Sequence, residues 1–95
     1  MGRQYKPFVE KAAEILRERG AEQLPHRTLN FVHKEGNFKF KALRRTELLW
    51  RNKKVTIPHY HRYFYTVFFE DAVFISTRVS LDLALEEFTE FINDR

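Results

Sequence analysis

Apolar residues recur at three- and four-residue spacing twice in the chain, once toward each end. Phe8, Val9, Ala12, Ala13, Ile15 and Leu16 form the first stripe, opposite Glu10, Lys11, Glu14, Arg17 and Glu18, and predict a helix over residues 5–19. Gly20 is its natural stop. Leu81, Ala84, Leu85, Phe88, Phe91 and Ile92 form the second stripe, predicting a helix over 81–93 with Glu86, Glu87, Glu90 and Asp94 facing out. Ser80 can accept a hydrogen bond from its first turn, and Asp82 places negative charge where the helix dipole favours it.

Between the two helices the pattern changes to alternation. Residues 60–69 hold six aromatic residues in ten and read as the longest strand, with Pro58 suited to its start. Residues 72–79 read as the next strand, and Glu70-Asp71 as the polar break of a hairpin. Centring the turn there pairs Phe68 with Val73, Thr66 with Ile75 and Phe64 with Thr77 on one face. On the other face Val67 meets Phe74, Tyr65 meets Ser76 and Tyr63 meets Arg78. The first set is expected to face the core. The second, apolar near the turn and polar beyond it, is either covered by a helix or a contact surface.

Upstream, residues 28–33 and 38–42 are expected to pair about Glu35-Gly36, with Phe31 opposite Phe40 and His33 opposite Phe38. Residues 43–52 fit a strand slightly better than a short helix. As a strand they set Leu48 and Trp50 against Ile57 and Val55 across a turn at Asn52-Lys53, which makes Trp50 a core residue. Successive strands most simply form an antiparallel β-meander of five to six strands. The two helix stripes then bury on one sheet face, in a single α+β domain over 1–95. If they cover Phe64, Phe68 and Ile75, the face of Tyr63 and Tyr65 is open.

At 43% hydrophobic and 16% aromatic residues, the chain can fill a core without cross-links. It has no cysteine, which excludes disulfides, thiolate metal sites and thiol catalysis. With no apolar run of spanning length or signal-peptide form, the expectation is a soluble cytoplasmic protein without membrane contact. Charge is uneven. Residues 26–62 carry ten Lys/Arg against Glu35 and Glu47, net +8, and all four histidines. Residues 63–95 carry Arg78 and Arg95 against seven acids, net −5. A basic block of this kind points to a polyanionic partner, or to a solvated basic sheet face balanced by an acidic helix.

Candidate chemistry is sparse. His59 and His61 lie at i and i+2, the strand spacing at which two imidazoles can converge on one metal ion, but no third ligand is spaced to join them. His59-Tyr60-His61 resembles the His-hydrophobic-His motif of rolling-circle replication initiators and related single-strand nucleases. The resemblance covers three residues, four with Pro58. It implies a divalent metal on His59 and His61 and a tyrosine nucleophile on a following helix, whereas no tyrosine follows Tyr65. His26-Arg27-Thr28 is similar to the His-x-Thr element that one class of phosphoesterases carries twice, and has no second copy here. With glycines only at 2, 20 and 36 there is no phosphate-binding loop.

The expected function is therefore a non-catalytic nucleic-acid-binding module without cofactor. Lys34, Lys39, Lys41, Arg44, Arg45, Arg51, Lys53 and Lys54 would neutralise phosphates. His61, Tyr63, Tyr65 and Arg78 would line an aromatic face for the bases of single-stranded DNA or RNA. The alternative is a protein-binding adaptor or inhibitor that sets the same surface against an acidic partner, with a metal-dependent nuclease using His59 and His61 as a minor third.

Overall fold

The N-terminal helix α1 (Tyr5–Glu18) ends where Gly20 adopts φ 95°, a backbone region L side chains rarely enter. Gly20 N–H donates to Arg17 O at 3.0 Å and Ala21 N–H to Leu16 O at 2.9 Å, which satisfies carbonyls the last helical turn would leave bare. The computed structural model describes residues 5–25, 31–35, 38–42, 44–59 and 64–95, the segments 31–35 and 38–42 by their backbone course alone.

Among the described residues seven strands follow α1: β1 (Glu22–Gln23), β2 (Phe31–Glu35), β3 (Phe38–Ala42), β4 (Arg45–Trp50), β5 (Lys53–Pro58), β6 (Tyr65–Phe68) and β7 (Val73–Ser76). The closing helix is α2 (Leu81–Asn93), and its Ser80 hydroxyl accepts from Leu83 N–H as expected. Five strands form one antiparallel sheet in the order β1-β4-β5-β6-β7, and β2 with β3 forms a separate hairpin between β1 and β4 in the chain. The fold is α+β, with a helix at each end of an antiparallel sheet. No helix among the described residues is long and apolar enough to cross a membrane.

Residues 45–50 are a strand, and their turn into β5 falls one residue earlier than expected. Leu48 pairs with Val55 and Trp50 with Lys53, so the turn falls on Arg51-Asn52, with φ 54° and 65°. Two central residues at positive φ match the right-handed twist of the flanking strands, and asparagine tolerates that region better than most. The β2–β3 register is likewise two residues from the expected one, with Phe31 opposite Ala42 and His33 opposite Phe40. In β4 and β5 a shift of two leaves every side chain on its expected face; a shift of one would not.

The β6–β7 register agrees with expectation: Tyr65 opposite Ser76, Thr66 opposite Ile75, Val67 opposite Phe74 and Phe68 opposite Val73. The faces are reversed. Tyr65, Val67, Phe69 and Phe74 are buried beneath the helices, whereas Phe64 and Phe68 are half-buried and Val73 and Ile75 exposed. The cause lies in β4 and β5, whose inward residues Leu48, Trp50, Val55 and Ile57 set the sense of the whole sheet. Thr56, on the outer side of β5, pairs with Phe68 and carries it outward. Expected strand residues 60–63 lie outside the described residues.

Rings fill the space between sheet and helices. Phe8 of α1 stacks on Tyr65 at 4.6 Å between centroids, and Phe88 of α2 meets Phe74 edge-on at 5.2 Å. Phe91 reaches both Phe69 and Phe74 at 5.4 Å. Trp50 is buried against Phe69, as its core assignment required, and its indole N–H donates to Arg19 O at 3.2 Å.

Candidate interaction surface

Of the residues expected to bind a polyanion, most of the described ones already face carboxylates. On the sheet face turned away from the helices, Glu47 sits between Arg45 (3.1 Å) and Lys54 (3.2 Å). Burial alone would raise the Glu47 pKa; hydrogen bonds from Arg45 and Lys54, together with their charges, outweigh it and hold the carboxyl below the ordinary glutamate value. Lys53 pairs with Asp71 across the hairpin tips at 3.4 Å. Arg51 folds its guanidinium over the Trp50 ring at 4.3 Å.

Arg78 pairs with Glu87 of α2 at 3.0 Å, and the buried Ser76 hydroxyl donates to the other oxygen of the same carboxylate at 2.5 Å. These two contacts, the serine's first, hold Glu87 below the ordinary glutamate range and tie α2 to β7. Arg44 is exposed just ahead of β4. His59 is half-buried: its backbone N–H donates to Arg44 O at 3.1 Å, and its Nε2 lies 2.7 Å from Thr46 Oγ1.

Tyr65, the expected stacking platform, is fully buried between Phe8 and the sheet and offers no face to a base. His61 and Tyr63 lie outside the described residues, as do the side chains of Lys34, Lys39 and Lys41. His61 being outside them, the His59–His61 pair has no described geometry. Among the described residues no three His, Cys, Asp or Glu side chains converge as a metal site would require. The expected site is thus divided: Arg45 and Lys54 share the outer sheet face, Arg51 and Lys53 the hairpin tip, and Arg78 the approach to α2.

A different surface stands out. Val73 and Ile75 on β7 are 45% and 46% exposed, next to half-buried Phe68 on the outer face of β6. Cross-strand pairing sets Val73 opposite Phe68 and Ile75 opposite the buried Thr66. β7 is also the last strand of its sheet. Sequence reasoning missed this patch because β7 reads Val-Phe-Ile, apolar on both faces, so alternation alone could not assign an outside. No family model, curated protein or solved structure matches the chain.

Proposed function

We propose that the protein is a non-catalytic protein-binding module whose contact surface is the outer face of β6 and β7. The observation that carries this reading is the exposure of Val73 and Ile75, two apolar side chains on one face of β7. Apolar side chains grouped in this way cost free energy in water and recover it when a partner covers them. Two further observations favour a protein over a nucleic acid. Tyr65 is withdrawn into the core, and Arg45, Lys53, Lys54 and Arg78 each have a carboxylate within 3.4 Å.

The test is an affinity pull-down from nuclease-treated extract with wild type and with Val73→Asp/Ile75→Asp. A stoichiometric partner is expected on the wild type and absent from the variant, with the melting temperature little changed because both side chains are exposed. Nucleic acid co-purifying from a parallel, untreated extract at low salt and lost at high salt, with no protein partner in the treated one, would overturn the proposal in favour of polyanion binding.

A further inference from the structure

Resting on the protein-binding reading, we infer that β7 receives an added strand: an extended partner segment in which apolar and basic residues alternate. Phe69 N–H donates to Ala72 O at 2.8 Å, which makes that pair the first hydrogen-bonded rung of the β6–β7 hairpin. Rungs of an antiparallel ladder alternate. The observed register then bonds Phe74 to Val67 and Ser76 to Tyr65. The N–H and C=O groups of Val73 and Ile75 point the other way, toward the free edge of the sheet. Among the described residues no strand pairs with that edge, so it offers two residues' worth of donors and acceptors, which is what strand addition uses.

A shallow groove of about 420 Å³ runs beside this edge, between β7 and α2. Its two sides differ. On the outer side an incoming strand would meet Val73 and Ile75. On the helix side it would meet Phe74 and Phe91 beneath the carboxylates of Glu87, Glu90 and Asp94. Glu87 is held by Ser76 and Arg78, whereas Glu90 and Asp94 are exposed and form no ion pair among the described residues. Because strand side chains alternate between faces, one set is matched to apolar contact and the other to Lys or Arg.

Charge selects the occupant. A phosphate backbone would be repelled by the carboxylate rim. Pairing of β7 with β7 of a second copy would lay two acidic α2 helices side by side and bring Glu90 and Asp94 toward their counterparts. A basic strand from another protein suffers neither penalty.

The probe is a fluorescein-labelled octapeptide of alternating valine and lysine, followed by fluorescence anisotropy at low salt. Ile75→Pro removes one outward N–H without touching a bond to β6, and proline is tolerated on an edge strand. Glu90→Lys/Asp94→Lys reverses the rim on an exposed helix surface, so it reports even if the proline variant unfolds. Each change is expected to weaken binding at least about tenfold, equivalent to about 1.4 kcal/mol. A peptide N-methylated at alternate residues, or one of alternating valine and glutamate, is expected not to bind.

Equal binding to wild type and Ile75→Pro, equal binding of the glutamate peptide, or a dimer of the protein alone that Ile75→Pro dissolves would each overturn the inference. A pulled-down partner lost with Val73→Asp/Ile75→Asp but retained by Ile75→Pro would overturn strand addition and leave the protein-contact surface standing.

Discussion

Replacing Tyr65 by alanine should be among the most damaging single changes in the sheet. The side chain is fully buried, with Phe8 stacked at 4.6 Å and Tyr5 tilted at 5.5 Å. Burial of a tyrosine removes roughly 150–200 Å² from water, which at about 25 cal/mol per Å² is about 4–5 kcal/mol. A realistic unfolded chain already hides part of that area, lowering the figure to about 3–4 kcal/mol. The cavity left against Phe8 returns some of it, giving about 3–5 kcal/mol. Phe64 and Phe68 are half-buried on the outer face, so alanine there should cost about 1–2 kcal/mol. For a domain of this length each kcal/mol moves the melting temperature by about 4–8 °C. Thermal melts followed by circular dichroism should therefore place Tyr65→Ala below Phe64→Ala and Phe68→Ala, by roughly 15 °C at the middle of these ranges. If either phenylalanine variant melts lowest, the helices cover the other face of the sheet and the whole assignment of inside and outside is wrong.

Three further outcomes are expected. Glu47→Gln should cost about 1–2 kcal/mol at neutral pH, because it removes the negative charge that faces Arg45, only 11% exposed, and Lys54. The folded-state pKa of Glu47 is lowered, so its contribution is fully present above the unfolded glutamate pKa and is lost as pH falls through the folded value. Urea midpoints of wild type and Glu47→Gln should thus converge in acid, and a gap that persists there would show that the ion pairs are not its source. Gly20→Ala should cost about 1–2 kcal/mol, since φ 95° strains any side chain whatever the space around it, and a melt equal to wild type would refute the capping role. Ser80→Ala should cost about 0.5–1 kcal/mol and raise amide exchange in the first turn of α2; unchanged exchange at Leu83 would show that its 3.5 Å contact caps nothing.

The local pattern of the chain was enough to determine both helices, the strand identity of residues 45–50, the β6–β7 register and the α+β class. Each follows from short-range rules: a stripe at helical spacing, a capping serine, a terminal glycine, alternation about a polar break. The registers of β2–β3 and β4–β5 did not follow from it: each differs by two residues from the one that alternation and the polar breaks predict. Nor could local pattern determine which side of β6 and β7 faces in. Tyr65, Val67 and Phe74 make one face as apolar as Phe64, Phe68, Val73 and Ile75 make the other, and Ser76 opposite Tyr65 suggested solvent where there is core. The choice was made two strands away, by Leu48 and Trp50 against Lys54 and Thr56, and reached β6 through the pairing of Thr56 with Phe68. Ser76 tolerates burial because Glu87, from the helix laid over it, accepts its hydroxyl. The same distant decision withdrew Tyr65 from the surface and left Val73 and Ile75 at the edge. A sheet is a single two-sided object, so the orientation of one strand pair fixes all the others, and that coupling exists only once the strands have paired.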